Sequence, residues 1–511
     1  MSLSPELSAL TDAGACLALA NTSEDAAVVT AALERAAALD RDCQAALINL
    51  ASEALEAGDG LTTLAYIEEA ARVGPLPSEI VPLREQLFAE ASATPTAISD
   101  YLKIIGRMPV EPAERPLTIL LVTNLFPPQE LGGYGRMMWE FAHGLRARGH
   151  TVRVLTADLP QFAKLATEDE VAMEEHVMRT LALLGSWEGG RGVALADRSE
   201  QIRRLRDNAA RVRTAVTKLG ADLVLAGNLD FLGVSSIEPA LSREVPVLHA
   251  LANAAPGYPL QEQPLQAHYW VAPCSDWNGR VFQQAGFSPT RIDTLYPGAR
   301  VDRFFRLLLP ETGRLRLCYA SLVMPYKGVH TLVNALVALH RTGVDFTAEI
   351  AGDAPDAAFL EKLRGAVRDN GLEAKVKFTG FLNRDGLKSL FARSNLLVFP
   401  SEFEEPFGIS QVEAMAAGLV VVSSGTGGAC EIVRDGVDGL LFRAGDATDL
   451  TDKLIRIAHD VALFTTLQRA SQARALTFSV DHAVRKIETL AGEMQAAIEA
   501  SRAPFDSLAM V

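Results

Sequence analysis

Two carboxylates with seven residues between them give this chain its clearest chemical signature. Glu405 lies in a polar loop, Glu413 lies in the helix expected to come next, and Phe407, Gly408, Ile409 and Ser410 open that helix. The first amides of a helix have no internal partner and carry a partial positive charge. Gly408 lets a ligand approach that backbone closely. A phosphate at the helix end, flanked by carboxylates that accept hydrogen bonds from sugar hydroxyls, is a nucleotide-sugar site in outline. Lys327, beside Gly328 at the start of another expected helix, is placed to neutralise a diphosphate. Spacing alone leaves a second role open. Ser410 and Glu413 also satisfy the S-x-x-E pattern of a capping box, in which Glu413 would serve only its own helix.

Buried strands must hold these groups. Leu396–Phe399 and Leu419–Val422 are short apolar runs suited to a sheet covered on both faces, with the glutamate loop and helix between them. Further strands are expected at Leu315–Ala320, Phe346–Asp353 and Lys375–Phe381, the last two ending at Gly352 and at Gly380-Phe381. An earlier set is expected at Thr118–Thr123, Thr151–Thr156, Asp222–Ala226, Val245–His249, Trp270–Pro273 and Ile292–Tyr296. Between the first two of these, Gly132, Gly133 and Gly135 form a loop ahead of a helix over 136–148, a βαβ unit. Both sets read as doubly wound α/β domains. Their ligands belong at the carboxyl ends of the strands.

The segment EPFGISQVEAMAAG resembles the E-x7-E signature of retaining glycosyltransferase family 4, and the likeness extends over roughly residues 117–500. The resemblance implies a GT-B fold: two Rossmann-like domains with a facing cleft. It implies that Glu405 holds sugar hydroxyls, that Glu413 holds ribose hydroxyls, and that Lys327 and the amides from Gly408 to Ser410 take the diphosphate. Gly132 and Gly133 would face the donor phosphates from the first domain. Gly352 would let the nucleotide approach, and Phe381 and Leu382 would contact the base. His249, at the end of its expected strand, would stand near the transferred sugar and complete a catalytic set with Glu405 and Lys327. Asn253 and Tyr258 come after it in a loop that could meet sugar or acceptor. No metal or other cofactor is expected. Ser321 stands where the family carries an arginine, which leaves one cation fewer on the leaving group.

Composition bounds the rest. The 511 residues, 49% hydrophobic and 22% charged, suffice for about three globular domains. Positions 1–100 hold 16 acidic against 4 basic residues, so most of the net charge of −15 sits there and nucleic acid is not an expected partner. Residues 1–108 read as all helix. Leu33–Ala37 matches Ile67–Ala71 at an offset that resembles the tetratricopeptide helix pair, a surface for a protein partner or for self-association. A Pro-rich linker is expected at 109–116, the first Rossmann-like domain at 117–305, an interdomain connection at 306–314 and the second domain at 313–481. A last helix over 482–501 would rejoin the first domain.

Five scattered cysteines, no secretory leader and no apolar run of membrane-spanning length point to the cytoplasm. A basic helix over 201–219 can rest on an anionic membrane surface, or simply present a solvated charged face. The expected activity is transfer of a hexose from a UDP- or GDP-linked donor to a glycan, lipid or protein hydroxyl. The alternative is an adaptor that binds a nucleotide sugar or a partner protein without chemistry.

Overall fold

Small side chains and aspartate caps shape the N-terminal region. Among the described residues five helices run through it: α1 (Ala13–Thr22), α2 (Ala26–Leu39), α3 (Gln44–Glu56), α4 (Gly60–Val73) and α5 (Val81–Ala91). The computed structural model describes residues 10–40, 42–91, 112–188, 191–253, 255–306 and 308–506, so the expected linker at 109–116 lies partly outside the described residues. Asp12, Asp25 and Asp59 accept hydrogen bonds from the opening amides of α1, α2 and α4. α1 packs on α2 and α3 on α4. Ala32, Ala36, Ala46 and Ala70 are fully buried there, and a methyl group lets neighbouring backbones come close. The bounds of α4 repeat those of α2 at the offset that aligns Leu33 with Ile67.

The first α/β region contains β1 (Thr118–Val122), α6 (Tyr134–Ala147), β2 (Thr151–Ala157), α7 (Glu168–Glu174) and β3 (Val177–Leu181). An antiparallel hairpin is next, β4 (Gly185–Glu188) with β5 (Arg191–Ala194), a departure from the expected α/β alternation. Then come α8 (Arg198–Leu219), β6 (Leu223–Ala226), α9 (Glu238–Leu241), β7 (Val247–Leu251), β8 (Tyr269–Pro273), α10 (Asp276–Gln284) and β9 (Arg291–Ile292). The parallel sheet has the order β3-β2-β1-β6-β7-β8-β9 and reverses direction of growth between β1 and β6.

The second α/β region opens with α11 (Val301–Phe304) and β10 (Leu315–Ala320), then α12 (Val329–Arg341), β11 (Phe346–Ala351), α13 (Ala357–Asp369) and β12 (Val376–Gly380). α14 (Arg384–Arg393), β13 (Leu396–Phe399), α15 (Ile409–Ala416), β14 (Val420–Ser423) and β15 (Leu440–Leu441) complete its sheet, and α16 (Ala447–His459) and α17 (Val461–Leu476) close it. The order is β12-β11-β10-β13-β14-β15, all parallel, with the switch between β10 and β13. That switch puts the loop carrying Lys327 beside the loop carrying Glu405.

α18 (Val480–Asp506) spans the expected helix and returns to the first sheet's core. Val484, Ile487, Leu490 and Met494 are fully buried there against the α6 side. Gly144 is required on α6 because a Cβ would stand 2.7 Å from a Val484 methyl. Glu488 of α18 accepts from Arg148 Nε (2.7 Å) and pairs with His150 (2.7 Å).

The chain divides into two compact units. One unites the N-terminal helices with Arg300–Thr477, and the other joins the first sheet to the segment from Phe478 onward. This corrects two expectations. Residues 300–305 do not belong to the first Rossmann-like domain, and the segment 306–314 lies wholly within one unit. The reason is electrostatic. Arg306 is 1% exposed, and a guanidinium removed from water needs anionic partners. It donates to Glu69 of α4 (2.8 Å) and pairs with Asp42, while Arg35 pairs with Glu311 and Arg72 donates to the Phe305 carbonyl. Arg306→Ala is therefore expected to cost this unit about 3–5 kcal/mol in urea unfolding, because it removes the closer of the two cations on buried Glu69 and leaves only Arg72, at 3.7 Å. Adding Glu69→Gln to Arg306→Met should recover part of that loss.

Candidate functional site

Two loops meet at the second sheet's switch point. After β10, Pro325-Tyr326-Lys327 makes one tight turn into α12. After β13, the amides of Glu402 and Phe403 both donate to the Tyr326 carbonyl, at 2.9 and 3.0 Å. Thr331 Oγ1 donates to Glu402 Oε1 (2.9 Å) and fixes the same loop to α12. The result brings Lys327 Nζ to Glu405 Oε1 at 2.5 Å, with Ser401 Oγ donating to the same oxygen at 2.7 Å. Oε2 of Glu405 has no hydrogen-bond partner among the described residues. Glu405 is 8% exposed, and Nζ also lies 5.5 Å from the Tyr326 and Phe403 rings, an additional attraction for a cation.

α15 begins without a side-chain cap. Gly408 is its N-cap, in a left-handed conformation with φ of 100° that disfavours any side chain. Phe407 is buried, and Ile409 and Ser410 are half-buried in the opening turn. The S-x-x-E capping box is not formed. Glu413, 2% exposed, instead pairs with Arg384 at the start of α14. Gln411, on the same turn, is fully buried with both side-chain polar atoms unpartnered.

The other residues expected to meet a donor in this half fall on the same sheet edge. A Cβ on Gly352 would stand 1.7 Å from the Ser321 carbonyl oxygen, so these two loops fit only with glycine there. Ser321 is half-buried, and its amide donates to Ala351 (3.2 Å). Phe381 is 72% exposed, which excludes a core role and leaves its ring open for stacking; Leu382 beside it is half-buried. A cavity of about 240 Å³ lies next to this loop, lined by Gly352, Asp353, Arg364, Phe378 and Gly380 among others.

In the unit that holds the first sheet, Gly132 and Gly133 precede α6, and no neighbouring atom lies within 4 Å of where a Cβ on either would stand. His249 is the correction. Its strand runs two residues past it to Leu251, and the side chain is fully buried. Its Nδ1 meets the Tyr269 hydroxyl (2.9 Å) and its Nε2 the Gly227 carbonyl (3.1 Å), so both ring nitrogens are engaged inside the domain. It therefore presents no face to a substrate. Tyr258, expected in a ligand loop, is buried as well, and its hydroxyl pairs with Tyr269. Asn253 donates to Asp230 (3.0 Å), whose acidity burial weakens. Ser401, Arg384 and Asp230 were not singled out from the sequence. Only Ser401, four residues before Glu405, carried a local signal.

Comparison with known proteins fits this geometry. Residues 302–474 match the family model of glycosyl transferases group 1. The 2-deoxystreptamine glucosyltransferase of Streptomyces kanamyceticus is 34% identical over 36% of this chain and 47% of its own. The chain thus spans about half the length of that curated relative. A glycogen synthase of Mycobacterium tuberculosis is 27% identical over 70% of this chain and 90% of its own. Among solved structures, Anabaena Alr3699/HepE in complex with UDP and glucose aligns with a TM-score of 0.55, at 22% identity, over 74% of this chain and all of its own. The fold is GT-B. Among the described residues no helix is long and apolar enough to cross a membrane.

The buried His249 makes a pH prediction. Burial lowers its pKa from 6.5 to about 4 in the folded protein. Above pH 6.5 both folded and unfolded forms are neutral and stability is complete. As pH falls from 6.5 toward 4, the unfolded chain takes a proton that the folded one refuses, with a loss of about 3 kcal/mol. Thermal unfolding measured against pH should show this fall in the wild type and a shallower one in His249→Gln.

Proposed function

We propose that the protein is a retaining glycosyltransferase of the family 4 type, moving a hexose-type sugar from a UDP- or GDP-linked donor to a hydroxyl of a glycan, lipid or protein acceptor. The observation that carries this reading is the meeting of Lys327, Glu405 and the uncapped start of α15 at one switch point. The bond from the anomeric carbon to the diphosphate oxygen breaks, and a bond to the acceptor oxygen forms on the same face. The acceptor's proton passes to the leaving phosphate. Lys327 and the opening amides of α15 stabilise the charge that develops on the diphosphate, and Oε2 of Glu405 accepts from a sugar hydroxyl. Glu413, steadied by Arg384, accepts from the ribose. The Anabaena neighbour's complex with UDP and glucose supports trying a uridine nucleotide first. The N-terminal helices, tetratricopeptide-like in their period, would bind a protein segment or a second subunit.

Lys327→Ala should lower the rate of nucleotide release from UDP- and GDP-sugars about a hundredfold to a thousandfold, since one well-aimed contact contributes roughly 2.7–4 kcal/mol. Glu405→Ala should act in the same direction. Unchanged turnover in both variants would refute these roles. Because a lysine and amides take the part of a cation, EDTA should leave turnover unchanged; loss restored by a divalent ion would contradict that assignment.

Ser321 favours a second reading, since the edge then carries one cation fewer than the family it resembles. In that reading the protein is an adaptor. Tight nucleotide binding with neither hydrolysis nor transfer, across a panel of donors, would select it.

A further inference from the structure

α14 touches both the nucleotide end of the donor side and the N-terminal helices. It begins directly after Phe381 and Leu382, with Asn383 as its cap (2.8 Å to the Gly386 amide). Arg384 in its first turn pairs with the buried Glu413. Lys388, one turn later and on the same side, donates from Nζ to the Arg72 carbonyl at 2.6 Å. Arg72 lies in the last turn of α4, where carbonyls lack helical partners and the helix end is partly negative. A second tie runs parallel to this one. Gln472 of α17 donates to the Arg306 carbonyl (2.9 Å) and to the Ala416 carbonyl at the end of α15 (3.1 Å), and Arg306 is itself held by Glu69 of α4.

Burial makes Lys388 an expensive side chain to keep charged. Desolvation, with the nearby cations of Arg306 and Arg72, lowers its pKa to about 8, against the support of Asp42 and Glu69. An apolar residue of similar length would fill the space without that cost. A cation in such a place favours the docking register in which its ammonium meets the Arg72 carbonyl at the end of α4.

We infer that Lys388 is a positioning residue: by fastening α14 to α4 it holds Arg384 on Glu413 and the Phe381 loop in their binding geometry, so that the N-terminal helical region sets the affinity for the donor's nucleotide. This rests on the reading that the edge around Glu413 and Phe381 binds a nucleotide. The helical region is then a part of the donor site's support, and whatever engages α4 acts on nucleotide affinity.

Calorimetric titration of the full chain with UDP and with GDP tests this. Lys388→Met should raise the Kd of the nucleotide that the wild type binds by about tenfold, which is roughly 1.4 kcal/mol. Lys388→Arg should restore most of the affinity. Arg384→Gln should weaken binding too, and the double variant should lose clearly less than the sum of the two single losses, because Lys388 acts in part through Arg384. A purely structural lesion would instead add to the Arg384 effect. Wild-type affinity in Lys388→Met, or additive losses in the double variant, would overturn the inference. If Lys388→Met does not fold, amide exchange of the wild type decides. Saturating nucleotide should slow exchange at 70–73 in α4 as well as in α14, and unchanged exchange at 70–73 overturns the coupling. A wild type that binds neither UDP nor GDP defeats the donor reading itself, and the inference falls with it. Binding that persists while only the coupling is absent defeats the inference alone.

Discussion

A carboxylate cannot be taken out of water alone, and Glu405 is held to that constraint. Its burial requires a cation within contact distance, and Lys327 is the one that arrives. To bring it there, the loop after β10 must turn within three residues and the loop after β13 must lie on it, which the shared Tyr326 carbonyl enforces. Gly328 must then lack a side chain, since a Cβ there would stand 1.8 Å from the Pro400 carbonyl oxygen. One charge pair thus ties the conformations of two loops together, with the exposed rings of Tyr326 and Phe403 beside it and the uncapped helix starting four residues on. Strand order does the remaining work, because β10 and β13 are neighbours only in a sheet that reverses at that point.

The second α/β half was legible because its signals are local. The strands Leu396–Phe399 and Leu315–Ala320 have the bounds their residues imply, because apolar runs bounded by Pro, Ser and Gly leave little choice of register. The pairing of Lys327 with Glu405 comes from placing both loops on one edge. Glu413 sits on the helix expected for it, but its partner Arg384 lies on a different element, and no spacing in the sequence links the two. His249 failed for a related reason. Its surroundings, Tyr269 in one neighbouring strand and Gly227 just past the end of the other, are distant in sequence, and a histidine at an apparent strand end looks alike whether the strand stops or continues. The hairpin at 185–194 was missed because it is short and rich in glycine.

The N-terminal helices are recognisable by composition and period, yet nothing in the sequence tells which α/β half receives them. Chain order suggests the first, since it comes directly after them. The structure gives them to the second, through Arg306, Arg35 and Lys388. Each of these contacts joins residues more than two hundred positions apart, and each looks in the sequence like an ordinary surface charge. The acidic excess of positions 1–100 is partly spent in this way, on guanidinium groups contributed from far along the chain.

α18 completes the core of a sheet whose strands lie between residues 118 and 292. A ribosome delivers those strands long before it delivers Val484, Ile487 and Leu490. The apolar side of α6 must therefore wait, uncovered, while nearly two hundred residues of another domain are made. The half that carries Lys327 and Glu405 has all its pieces once residue 477 has emerged, so the later half of the chain is the first able to finish folding. Synthesis order and assembly order run opposite ways in this protein, and the early half is the one that a chaperone would need to shelter.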